Sequence, residues 1–272
     1  MQKVQFRFYL FLVFVITFFA GPFLWQVITS LKPASELATL PPVLPSNPTF
    51  ENYASVFKER PFLRVVLNSF IVATSTAFLS IGIGSLAAFA LAKLEMKGKS
   101  VVLLLVLSAS MFPSISIVAP LFVLLRALHL RDTLFALIFT YTVFALPFTI
   151  WVLTGFFKSI PNEVYLASRV DGCTVFQSFY RIVLPLSAPG LFSTAILVFI
   201  FSWNEFLFAL VFTATVASRT APVEIALFPG IHEVPWGEMA AASVVVTIPV
   251  VVLVFLFRQR IMEGIIMGAI KG

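Results

Sequence analysis

The sequence predicts an all-α membrane protein with six transmembrane helices and both termini inside. Three observations predict it: a shortage of charge, six long apolar runs, and an uneven spread of lysine and arginine among the connections. Of 272 residues, 60% are hydrophobic and 11% charged, and the mean hydropathy is +1.04. A soluble domain carries about 25% charged residues, so much of this surface faces something other than water. The 32 phenylalanines suit lipid. The net charge of +6 does not point to nucleic acid, because the basic residues lie between apolar runs instead of clustering. A single cysteine, Cys173, excludes an internal disulfide.

A spanning helix needs about 20 mostly apolar residues. Residues 9–31, 68–92, 101–125, 133–157, 190–214 and 241–258 meet that test. The first follows Lys3 and Arg7, as a secretory signal would, but its apolar run is longer than a signal peptide's and no A-x-A site follows, so it is expected to be retained. The N-terminus, the 93–100 and 158–189 loops and the tail together hold eleven Lys and Arg and a net charge of +7. The opposite side holds seven, balanced by seven acids. The first side is therefore cytoplasmic. The chain divides into a first helix with its outer loop (1–67), a transmembrane domain (68–258) containing the 158–189 loop, and a cytoplasmic tail (259–272). The outer 32–67 connection, rich in proline, is too short to bury a core of its own.

The 158–189 loop reads as two short surface helices. Pro161 suits a helix start and Glu163 its positive end. Asp171-Gly172 marks a turn, Thr174 and Gln177 form a capping box, and Leu184-Pro185 and Pro189 end the second helix. Val164, Ala167, Ser168 and Asp171 share one face of small side chains, which favours docking onto a protein over resting on lipid headgroups.

This loop resembles the signature of importer-type ABC permeases, E-A-A-x-x-x-G, nine residues, then I-x-L-P. Ala167, Ser168 and Gly172 match its first half and Ile182, Leu184 and Pro185 its second, with Asp171 before the glycine typical of the sugar-importing branch. Leu166 stands where the family usually has Glu, and Glu163 lies one turn earlier as a partial replacement. Asn68-Ser69, Trp203-Asn204-Glu205 and the closing Met267-Gly268-Ala269-Ile270-Lys271-Gly272 are similar to the second permease subunit of maltose-type sugar importers. The resemblance implies a type I ABC importer transmembrane domain in a bacterial or archaeal inner membrane. Its cytoplasmic coupling helix would engage an ATPase dimer through Glu163, Ala167, Ser168, Asp171, Gly172, Ile182, Leu184 and Pro185. It further implies a homologous second permease, an extracytoplasmic solute-binding protein met by Pro229, Gly230, Pro235 and Trp236, and a tail (Gly268, Lys271, Gly272) reaching the ATPases. ATP and magnesium would belong to the partner, with no cofactor in this chain.

The chain itself reads as no enzyme. Gly98-Lys99-Ser100 imitates the end of a P-loop, but the first glycine would fall on Lys93. His129 and His232 stand apart, so no metal cluster is expected. Polar residues within spans sketch a pathway: Ser114, Ser116, Tyr141, Trp203, Asn204 and Glu205. Glu205 suits either a functional role or a helix–helix hydrogen bond, and the sequence does not choose. An importer of amino acids or polyamines and an ion-driven secondary transporter are the alternatives; the latter would show repeats and several intramembrane acids.

Overall fold

The structure is a computed structural model and describes residues 2–37, 43–230 and 234–269. Helices run in the order α1 (Gln2–Ser30), α2 (Ala34–Leu37), α3 (Glu51–Lys58), α4 (Phe62–Lys93), α5 (Lys99–Ala109), α6 (Ser114–Ala127), α7 (Leu134–Ser159) and α8 (Asn162–Val170). They continue with α9 (Val175–Ser178), a π-helical turn (Phe179–Val183), α10 (Leu184–Leu186), α11 (Ala188–Asn204), α12 (Leu207–Phe212), α13 (Ala221–Ala226) and α14 (Trp236–Ala269). No strand occurs among the described residues.

Among the described residues, four stretches, Phe8–Ser30, Phe62–Lys93, Leu134–Ser159 and Trp236–Gln259, are long and apolar enough to cross a bilayer unaided. At about 1.5 Å per residue α4 reaches about 48 Å, beyond the roughly 30 Å hydrocarbon layer. Six spans result only if two bent pairs each count as one. The run expected at 101–125 is broken: α5 and α6 meet at 84°. Pro113, extended at φ −60° and ψ 125°, stops the helix there, and its missing N–H costs nothing at the head of α6. The run expected at 190–214 ends at Asn204, where Glu205 turns extended before the short α12. Its other end meets the preceding Val175–Leu186 segment at 78°.

The chain forms two compact units. The first comprises residues 1–66 and 221–251. Here the 32–67 connection is fastened as a surface excursion. Asn52 donates to the carbonyls of Ser30 and Lys32 at 2.9 and 2.8 Å, and Ser30 and Tyr53 hydroxyls lie 2.7 Å apart. Arg60 pairs with Glu238 at 2.8 Å and lies over the Phe228 ring, 3.9 Å from its centre. Ser55 donates to the same carboxylate.

The second unit holds residues 67–220 and 252–272. Its helices touch where side chains vanish. A methyl group at Gly84 would meet the Thr149 side chain at 2.6 Å, and one at Gly190 would enter the Phe156 ring. Glycine thus sets how closely α4 and α11 approach α7. At one end of this unit Asp132, at φ 61°, accepts from the backbone N–H groups of Ala214 and Thr215 at 2.7 and 2.9 Å and from the hydroxyls of Thr215 and Ser218. Asn68 donates to the carbonyls of Val216, Ala217 and Arg219. The 213–220 segment is thereby held from both sides. Burial alone would raise the Asp132 pKa, but the hydrogen bonds from Ser218, Thr215 and Ala214 outweigh it and hold the carboxyl well below the usual range.

Candidate functional site

The loop after α7 is a rigid, anchored device. Lys93, at the end of α4, donates to the Ile160 carbonyl and to Asn162 Oδ1, the latter at 3.0 Å, and so pins the start of α8. Helix α8 ends in a Schellman arrangement: Cys173 N–H donates to Ser168 C=O and Gly172 N–H to Arg169 C=O. That closure needs a left-handed residue, and Gly172 supplies it at φ +86°. Arg169 also donates to the Cys173 carbonyl. The expected capping box starts α9, with Gln177 N–H on Thr174 Oγ1 and Thr174 N–H on Gln177 Oε1. The second helix ends at Leu186, one residue past Leu184-Pro185 and ahead of Pro189, where the chain bends by 78°. The backbone widens into the π turn, and Pro185 then falls in the first turn of α10, where no donor is required.

Tyr165, Phe179 and Val183 hold the loop to the core formed by Ala88, Phe89, Leu153 and Phe157. The small-residue face divides on this anchor. Ser168 is buried, its hydroxyl donating to Tyr165 C=O and lying 2.7 Å from that of Ser178. Glu163, Ala167, Asp171, Gly172 and Pro185 are exposed, while Ile182 and Leu184 are half-buried. Ser168 therefore braces the two helices against each other, and the outward stripe is Glu163, Leu166, Ala167, Val170 and Asp171. Leu166 and Val170 are 57% and 87% exposed, with Phe176 and Leu186 also outward. Sequence reasoning missed this apolar character. The signal was present in the i, i+4 pair Leu166 and Val170 beside a tyrosine that needed burying. It also missed Lys93 and Tyr165 as anchors.

The pathway residues expected from the sequence separate into two groups. Tyr141 and Trp203 are buried, the latter stacked on Phe199 with centroids 5.5 Å apart. The Tyr141 hydroxyl neighbours the Glu205 carboxylate without a hydrogen bond of normal geometry. Asn204 is exposed and bonds back to Ile200 C=O. Ser114 and Ser116 are exposed on the first turn of α6. Glu205 accepts from Phe208 and Ala209 N–H at 3.0 and 3.3 Å and so caps α12 across the break, with the Tyr141 hydroxyl of α7 beside the same carboxylate. Glu205→Ala is expected to lower stability by about 1–2 kcal/mol, and Glu205→Gln, which keeps an acceptor, by less. Denaturant titration of the purified protein checks this; equal losses would remove the capping role.

In the first unit Pro229 and Gly230 are exposed and Pro235 is half-buried. Trp236, 58% exposed, lines a cleft of about 490 Å³ with Ala34, Leu37 and Asn52. Gly268 lies in the backbone of α14. Lys271 and Gly272 fall outside the described residues.

Residues 80–265, which carry both the anchored loop and the broken spans, match the family described as "Binding-protein-dependent transport system inner membrane component". The chain belongs to this family. Among curated relatives of this transport component, the trehalose transport system permease protein SugB of Mycobacterium tuberculosis is 44% identical, with 92% of each chain covered. The trehalose/maltose transport system permease protein MalG of Thermococcus litoralis is 42% identical over 92% of this chain and 91% of its own. The sulfoquinovosyl glycerol transport system permease protein SmoH of Agrobacterium fabrum is 41% identical over 92% and 88%. In fold, the transport component resembles a chain of a bacterial ABC transporter involved in the import of the acidic polysaccharide alginate, with TM-score 0.79, 20% identity and 95% and 96% coverage. The Gly98-Lys99-Ser100 triplet of this family member opens the 11-residue apolar helix α5, with Gly98 at φ +80° as its N-cap.

Proposed function

We propose that the chain is the permease subunit of an ATP-driven, binding-protein-dependent ABC importer for a sugar or glycosylated polyol. The observation that carries the substrate class is that three relatives at 41–44% identity over 92% of the chain are named for trehalose, maltose or sulfoquinovosyl glycerol transport. In this reading the chain spans the cytoplasmic membrane six times with both termini inside. It pairs with a homologous permease, two ATPase copies that hold ATP and magnesium, and an extracytoplasmic solute-binding protein. The outward stripe of α8, held firmly by Tyr165 and Lys93, meets the ATPase; its Leu166 and Val170 fit an apolar recess there. Closure of the ATPases on ATP shifts the loop, and the spans it is anchored to open outward. ATP drives this because it binds the closed ATPase state more tightly.

The test is ATP hydrolysis by the complex that copurifies with this chain, reconstituted in lipid with its binding protein, across panels of disaccharides, amino acids and polyamines. Stimulation by one saccharide is expected. Stimulation by an amino acid or polyamine alone would overturn the substrate class, and the absence of any copurifying ATPase would overturn the ABC reading.

A further inference from the structure

A second candidate site lies where α5 packs against α7. A cleft of about 220 Å³ opens there, walled by Leu91, Leu103 and Leu107 and bounded at one end by Lys99, Ser100 and Lys158. The two lysines come from opposite helix ends, the first residue of α5 and the last turn of α7. Neither makes an ion pair or hydrogen bond with the described residues, and no acidic residue lines the cleft. Helix α5 starts at this end without a side-chain cap, which leaves the N–H groups of its first turn without a side-chain acceptor. Away from the lysines the cleft continues along an outward apolar surface on which Leu104 is 66% exposed.

Two uncompensated ammonium groups beside a leucine-walled slot, at the ends of the short apolar α5 and the long apolar α7, match one kind of occupant. We propose that this cleft holds an anionic phospholipid, its phosphodiester between Lys99 and Lys158 and one acyl chain along Leu91, Leu103 and Leu107. Charge complementarity selects an anionic over a zwitterionic lipid, because a choline group would place a third cation beside the lysines. A free phosphate would satisfy the ammonium end but leave the leucine slot empty. The inference rests on the chain lying in a membrane and is independent of the transported solute.

The test is native mass spectrometry of the whole transporter complex released from nanodiscs made of equal parts phosphatidylglycerol and phosphatidylcholine. The wild type is expected to retain phosphatidylglycerol selectively. In Lys99→Gln/Lys158→Gln the affinity for it falls about thirtyfold, as removal of two juxtamembrane lysines predicts. Lys97→Gln, just outside the cleft, leaves it unchanged, and Leu107→Trp weakens retention with both charges present. Equal retention of the two lipids, or undiminished retention by the double variant, would overturn the proposal. Displacement of the lipid by inorganic phosphate alone, or cross-linking of Leu104→Cys to a protein subunit instead of lipid, would overturn it as well. A failed sugar assay leaves these readouts intact.

Discussion

Replacing Gly172 with proline is expected to stop solute uptake while the spans remain assembled. Gly172 sits at φ +86°, and proline is confined near −65°, so the Schellman closure of α8 cannot form. The variant also lacks the N–H that Gly172 donates to Arg169 C=O. A backbone conflict of this kind costs about 3 kcal/mol or more, which corresponds to about a hundredfold or greater loss of the loop's native geometry. Gly172→Ala separates the causes. No atom lies within 4 Å of the added methyl group, so its cost is only the left-handed conformation, about 1–2 kcal/mol. In proteoliposomes the alanine variant should transport at an intermediate rate, and the proline variant should hydrolyse ATP without responding to solute. Wild-type coupling in Gly172→Pro would remove this loop from the proposed mechanism.

Asp132→Ala is expected to loosen the opposite region of the same unit. One carboxylate there serves two backbone donors and two hydroxyls. Removing it leaves four donors to find water, and bonds to a charged acceptor contribute about 1.5–3 kcal/mol each with strong non-additivity, so a total loss of about 2–4 kcal/mol follows. Asp132→Asn keeps the shape but offers one oxygen and adds two donors where none is wanted, so it should recover little. Acidity supplies a second check. The folded-state carboxyl titrates below its ordinary value, so its contribution is complete above the unfolded pKa of about 3.9. It is lost as pH falls toward the lower folded value. The stability gap between wild type and Asp132→Ala should therefore stay constant from neutral pH down to that point and then close. A gap that widened on acidification would contradict the assignment.

The apolar runs made the helices legible, and single residues made some local geometry legible too. Thr174 and Gln177 predicted the capping box, and Asp171-Gly172 predicted the turn, because caps and turns are decided within four residues. Three things were not legible. The bend between α5 and α6 follows from Pro113, but hydropathy measures length and not direction, so 101–125 read as one rod. Glu205 looked like an intramembrane charge because the break at 205–206 contains neither glycine nor proline. Ser168 looked outward because every residue on its stripe is small. Which way that stripe turns is fixed by Tyr165 entering the core, a contact with Phe89 far away in sequence. The family resemblance supplied partners that composition and periodicity could not.

The Lys93 anchor has a mechanical consequence. A lever delivers displacement to its far end only if its own joints are stiffer than the load. The joint between α7 and α8 would be the softest point of such a lever, since Ile160 and Pro161 interrupt the helix there. A buried ammonium group bridging Ile160 and Asn162 from the end of α4 stiffens that joint. Under the proposed coupling mechanism, a push on α8 would then be taken up by α4 and α7 together as torque, and compliance would shift to the broken helices, where the backbone is already interrupted.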